Sequence, residues 1–179
     1  MKKVHLETDR LILREWIDED RKPFAQMNAD PMVMEYMPRR LDEGASDKLV
    51  DRFSQHFKKH GYGLYVAESK DTKEFMGFVG LSNVELEVPF APAVEIAWRL
   101  SYEFWGQGYA SEAAKSVLKH GLGKLKIPEI VAFTVYDNTR SIAVIEKLGL
   151  ERDPKGDFDY PRLPKGHPLA KHVLFRIAA

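Results

Sequence analysis

The chain predicts an α+β fold on a mostly antiparallel, twisted sheet, with a parallel strand unit late in the sequence. Three observations carry this. Apolar residues alternate over Ala93–Ser101: Val94, Ile96, Trp98 and Leu100 share one face, and Glu95, Ala97, Arg99 and Ser101 the other. From Tyr109 onward the spacing changes to three and four, through Ala110, Ala113, Ala114, Val117, Leu118, Gly121, Leu122 and Leu125, which is the pattern of an amphipathic helix. The order of elements is strand, helices, several strands, then strand–helix–strand–helix–strand, which places the parallel unit near the end.

Taken in order, Leu6–Trp16 mixes apolar residues with charges and reads as a strand. An acidic start at Asp18 opens a helix, and "DPMVMEYMP" is a short connector with prolines near both ends. Leu49, Val50, Phe53 and Phe57 at helical spacing predict a second helix, with Gly61 as its stop. "GLYVAES" and "EFMGFVGLSNVEL", joined by the polar "KDTKE", predict a hairpin. "EIVAFTVYD" reads as a buried strand, and "NTRSIAVIEKLGL" as a short helix with Asn138 as N-cap and Gly149 past its end. The tail is a long Pro/Gly loop closed by a last strand, His172–Ile177. There is no internal repeat, low-complexity tract or domain boundary, so residues 1–179 read as one domain.

Composition narrows the function classes. Lys+Arg and Asp+Glu number 27 each, so the net charge is zero, and nothing calls for nucleic acid or an acidic membrane surface. The absence of cysteine removes disulfides, thiolate metal ligands and a cysteine nucleophile together, and suits a reducing compartment. No metal site is expected. The first residues, "MKKVHLETDRLILREW", spread their charges and lack the apolar core of a secretory signal, and no later run is long enough to span a membrane. The expected location is the cytoplasm.

The chemistry gathers in "EFWGQGYASEA", Glu103–Ala113. Two glycines, Gly106 and Gly108, stand where a helix must begin. The N–H groups of a helix start lack partners and the dipole adds positive charge there, so a strand–glycine–helix order makes an anion site. A P-loop would need G-x-x-x-x-G-K-[ST], which is absent. A dinucleotide fingerprint would need a third glycine where Ser111 stands, and a tighter turn. A glycine turn with no ligand is the structural alternative.

The ordered set "LETDRLILREW", "FWGQGYASEA" and "NTRS…EKLGL" resembles the GNAT N-acetyltransferases, most closely the branch that includes ribosomal-protein N-terminal acetyltransferases. The resemblance implies acetyl-CoA as co-substrate and no metal. It implies a splayed central parallel strand pair, with Trp98, Arg99 and Leu100 along the pantetheine arm. It carries the pyrophosphate loop onto Gly106, Gln107, Gly108, Tyr109 and Ala110, with Ser111 following, and a cofactor-arm contact onto Asn138. Trp105 stands where the family usually has Gln or Arg, which removes a side-chain phosphate contact and leaves the backbone N–H groups.

Acetyl transfer from a thioester to an amine needs a neutral amine, donors for an oxyanion, and a proton or hydrogen bond for the leaving thiolate. Many family members place a tyrosine seven residues after the asparagine; here that residue is Ile145. Ser141 fills a position that serine holds in the ribosomal-protein branch and is the candidate proton donor, with Tyr136 as the alternative. Glu95, on the pantetheine-binding strand, is the candidate base. Its register is one residue from the position expected in histone-modifying members, and a bulge would restore it. Asp157 and Asp159 are weaker candidates on a loop that could border the acceptor pocket. His56 and His60 have a metal-like i,i+4 spacing, but with no third ligand they read as a solvated helix face. His167 and His172 are placed near the acceptor at most. The acceptor is a protein N-terminus or a small-molecule amine, and the protein a monomer or homodimer. A non-catalytic CoA-binding sensor or scaffold is the competing class.

Overall fold

A computed structural model of the chain describes residues 2–179. The strand expected over Leu6–Trp16 is two, β1 (Val4–Glu7) and β2 (Leu11–Arg14), antiparallel around a tight turn. Thr8 makes the corner: its Oγ1 accepts from Leu11 N–H (3.0 Å) and its own N–H donates to Leu11 O (2.9 Å). Such a side-chain turn leaves no mark on the strand periodicity.

After a 3₁₀ turn at Asp18–Asp20 come α1 (Arg21–Ala29) and α2 (Glu43–His60). Asp42 caps α2 by accepting from Ala45 N–H at 2.8 Å, and Gly61 ends it in the left-handed region, at φ 76°. The expected hairpin is β3 (Leu64–Ser69) and β4 (Phe75–Asn83), and β5 (Val94–Leu100) continues antiparallel to β4. Helix α3 (Tyr109–Lys119) runs on into one π-helical turn at His120–Lys124, followed by β6 (Glu129–Val135) and α4 (Thr139–Lys147). The tail holds more strand than the sequence predicts. β7 (Glu151–Arg152) and β8 (Phe158–Asp159) both pair with β9 (Lys171–Ala178), and two-residue strands are too short to show alternation.

The sheet order is β1-β2-β3-β4-β5-β6-β9-β7, with β8 also on β9, and β5–β6 is its parallel pair. This is the mixed, mostly antiparallel sheet the sequence predicts. Alternation assigns its two faces. Phe78 packs with Phe53 (ring centroids 5.6 Å apart), Phe24 and Trp16, so α1 and α2 cover that side. Leu81, of opposite parity, meets Gly121, where an added Cβ would lie 2.8 Å from Leu81 Cδ1, so α3 and its π turn cover the other. Each large side chain buried in this way stabilises the fold by about 1.5–3 kcal/mol. Arg14, 2% exposed, ties the N-terminal elements together: it donates to both oxygens of Asp20 (2.8 Å each) and to Glu68 (2.7 Å).

Candidate active site

Gly106 and Gly108 lie in the left-handed region, at φ 71° and 82°, where a side chain would strain the backbone, and Gly108 is the N-cap of α3. The loop between them is pinned from the other end of the chain. Arg10, in the β1–β2 turn, donates to Gln107 O (3.0 Å) and to Glu112 on α3 (2.7 Å), and its guanidinium lies 4.1 Å over the Tyr109 ring. Thr8 Oγ1 donates to the same Glu112 at 2.6 Å. Both "TDR" and "SEA" belong to the resemblance, but a contact across 102 positions cannot be read from either.

This loop walls a cavity of about 480 Å³. Gly106, Gly108, Tyr109, Ala110 and Ser111 line one side; Trp98, Arg99 and Leu100 line another; Asn138 and Ser141 close its inner end. Gln107 is not on the lining: its side chain turns back to donate to Glu103 O at 2.9 Å. Trp105 works as a brace, with its indole N–H donating to Leu100 O (2.9 Å) and its ring under the Arg140 guanidinium at 4.6 Å. Arg140 and Lys147, which the sequence reading did not select, add positive charge to the lining. Their signal was only that they follow Asn138 on the next helix.

The cavity is open inward because the parallel pair is short. β5 and β6 are joined at Val94–Ile130 and Glu95–Val131, and then separate. Backbone groups of a strand alternate sides. Ser101 N–H donates to Met76 O in β4, whereas Leu100 O accepts the indole from the cleft, so the even-numbered residues face the splay. Trp98 therefore presents its N–H and C=O to a gap with no strand opposite.

A second cavity of about 300 Å³ lies beyond, and Tyr36, Met37, Trp98, Arg99, Asn138 and Ser141 line both. The two form one cleft through the splay. Asn138 organises the junction: its Oδ1 accepts from Ser141 N–H (3.3 Å), and its Nδ2 donates to Thr134 Oγ1 (3.0 Å) and Ser141 Oγ (3.2 Å). Ser141 Oγ thus accepts from Asn138 and keeps its own proton for another acceptor. Glu95 lines the second cavity, and burial pushes its carboxyl up to about 8. The β4–β5 register is unbroken through Glu95, so no bulge is needed to bring it there.

Several expectations need correction. Tyr136 is 50% exposed and lines neither cavity. Asp157 and Asp159 line neither; Asp157 is held by Arg152 and by Leu174 N–H, and the Arg152 hydrogen bond keeps its carboxyl below the usual range. The tail borders the second cavity instead with Tyr160, Leu163, Leu169 and His172. His172 Nδ1 donates to Ala170 O at 3.0 Å, and burial lowers the ring's pKa. His56 is not on a solvated face: Nδ1 contacts Tyr62 O (2.8 Å) and Nε2 accepts from Asn83 N–H (3.2 Å), fastening α2 to the end of β4.

The model of the acetyltransferase (GNAT) domain matches residues 10–151. The YkkB protein of Bacillus subtilis (strain 168) is 33% identical over 149 residues, 83% of this chain and 86% of its own. YoaA of the same organism, named an uncharacterized N-acetyltransferase, is 28% identical over 150 residues, 83% of each chain. Among solved structures, the ribosomal L7/L12 alpha-N-protein acetyltransferase RimL in complex with coenzyme A superposes with a TM-score of 0.77 at 18% identity, covering 98% of both chains, a likeness of fold. With a splayed parallel pair, a glycine loop opening α3 and a family match over most of its length, this chain belongs to the GNAT acetyltransferase family.

Proposed function

We propose that the protein transfers an acetyl group from acetyl-CoA to a primary amine, directly, with both substrates bound. The observation that carries this is the single cleft: a glycine-loop cavity and a second cavity joined through the β5–β6 splay, with Ser141 at the junction and Glu95 in the second chamber. The pyrophosphate rests on the N–H groups of 106–111, where the dipole of α3 and the charges of Arg140 and Lys147 favour an anion. The pantetheine arm runs beside Trp98 and borrows its free N–H and C=O, as an added strand would. The thioester then lies at Asn138 and Ser141.

The amine enters from the second cavity as an ammonium ion. Glu95 takes its proton, by contact or through water, which suits a carboxylate whose pKa burial brings near neutrality. The nitrogen attacks the thioester carbon, and a β5 N–H turned to the splay stabilises the oxyanion. As the C–S bond breaks, Ser141 Oγ–H hydrogen-bonds the leaving sulfur, and the proton remaining on the acylated nitrogen passes to that sulfur by way of Ser141 or water, so CoA leaves as the thiol and the amine as the amide. Holding both reactants in line supplies much of the acceleration, because thioesters are already reactive toward amines.

The test is a panel of peptide N-termini and small amines incubated with acetyl-CoA, read as free thiol release together with the mass of the acetylated amine. Acetylation of at least one amine class is the expected outcome. Tight binding of acetyl-CoA with no transfer to any amine would instead make this a CoA-binding sensor or scaffold.

A further inference from the structure

The second cavity is lined by two ionisable groups, Glu95 and Arg99, that have no partner of opposite charge among the described residues. Glu95 and Arg99 share one face of β5 and are about 13 Å apart along the strand, too far to pair with each other. Arg99 carries five N–H donors. Its Nη1 donates to Asn28 Oδ1 at 2.7 Å, and its guanidinium lies 5.4 Å from the centre of the Phe78 ring. Asn28 is a neutral amide, fully buried, whose Nδ2 donates to Ser46 Oγ at 3.0 Å. No carboxylate pairs with Arg99 among the described residues, and burial alone draws its pKa down to about 10, which leaves it a cation at neutral pH. Arg14 is the contrast: fully buried where Arg99 is half-buried, it is matched by Asp20 and Glu68. A desolvated guanidinium without a counter-ion is costly, and its planar fork suits a carboxylate or phosphate supplied from outside.

We infer that the acceptor is an amine that also carries an anionic group, with that group held by Arg99 while the nitrogen faces Ser141 and Glu95. This rests on the acetyl-transfer reading above and adds the substrate class. Phe133, Leu163 and Leu169 line the same cavity, which favours an apolar body joining the two groups. A volume of about 300 Å³ matches the lower end of small-molecule sites.

Calorimetric titration of the CoA-loaded protein with 3-phenylpropionate and hexanoate, which carry the anion and an apolar body without the amine, tests the anion site apart from turnover. Saturable binding is expected, weakened about tenfold or more in Arg99→Gln. Asn28→Asp is the second variant. It places a carboxylate beside Arg99 at nearly unchanged shape, and Ser46 can donate to it, so the fold should hold while the added anions lose their site. With turnover, 6-aminohexanoate, whose apolar chain separates amine from carboxylate, should exceed hexylamine in kcat/KM by about tenfold or more, and Arg99→Gln should erase that preference. No saturable anion binding, equal binding in wild type and Arg99→Gln, or a preference for hexylamine over 6-aminohexanoate overturns the assignment. So does an Arg99→Gln variant that loses acetyl-CoA affinity instead, because Arg99 would then serve the cofactor arm. Failure of the unliganded protein to bind acetyl-CoA at all is a different result, and counts against the acetyltransferase reading itself.

Discussion

Ser141 Oγ accepts from Asn138 Nδ2 at the point where the two chambers meet, so its hydroxyl proton is left for another acceptor, which in the proposed reaction is the sulfur of the departing thiolate. Ser141→Ala should therefore lower kcat with little change in acetyl-CoA affinity, since the interaction grows only as charge builds on sulfur. A hydroxyl that hydrogen-bonds without full proton transfer belongs at the low end of acid assistance, about 10²-fold. Activity within twofold of wild type would remove it from the mechanism. Glu95 has a second, thermodynamic signature. Its pKa is raised from 4.5 to about 8, so the folded state holds a proton that the unfolded chain has released. Its ionisation then costs stability progressively from about pH 4.5, and the cost levels off above about pH 8. Glu95→Gln removes that cost. The variant should melt higher than wild type at pH 8.5 and near it at pH 4.5, while turnover falls most at pH values below the amine's own pKa. A melting difference that does not depend on pH would mean that Glu95 is solvated and unshifted.

At the scale of elements, the glycine loop and the start of α4 make separable contributions. Gly108→Val does more than crowd a phosphate. At φ 82° a β-branched residue strains the loop itself, so the fold also loses stability. Gly108→Ala is the milder probe, expected to raise the Kd of acetyl-CoA about tenfold, ~1.4 kcal/mol, with a drop of ~1–2 kcal/mol in the apo protein. Unchanged affinity would move the pyrophosphate elsewhere. Asn138→Ala removes the α4 cap and the link to Thr134, worth ~0.5–2 kcal/mol, and the cofactor-saturated protein should lose more melting temperature than the apo form. Equal losses would leave Asn138 as a cap alone. These elements were legible because periodicity and glycine placement are local: the alternation of Val94–Leu100, the three–four spacing from Tyr109 and the Asn138 cap each act within a few residues. What stayed hidden is long-range. Arg10 reaching Gln107 and Glu112, Arg140 on the Trp105 ring, and Tyr160 in place of Asp157 at the second cavity all depend on how distant elements dock. The two-residue strands β7 and β8 exist only because β9 gives them an edge to pair with.

In the whole molecule, the cleft draws its walls from regions far apart in sequence. β5 and α3 supply the middle and α4 one side, while the connector after α1 crosses the opening, where Tyr36 and Met37 line both chambers. The connector is tied to the start of α4: Tyr36 Oη donates to Asp137 O (3.3 Å), and Glu35 pairs with Arg140. A ligand in the cleft therefore touches the N-terminal connector and the C-terminal α4 together, and should couple two halves that are otherwise joined through the sheet. At a concentration of acetyl-CoA near 100 times its Kd, mass action adds ~2.7 kcal/mol, or ~5–10 °C of melting temperature for a chain of this size. Amide exchange should locate the gain. Protection is expected at Trp98 and Leu100, whose N–H groups face the splay, at residues 106–111, and in the connector at residues 31–41, with no change in β3 or the middle of β4, which are already paired on both sides. A rise in melting temperature with no added protection in the connector would show that acetyl-CoA binds without engaging it, and Tyr36 and Met37 would then belong to the acceptor side alone. Protection confined to β3 and β4 would place the ligand outside this cleft and remove the basis for assigning Ser141 and Glu95 any part in the chemistry.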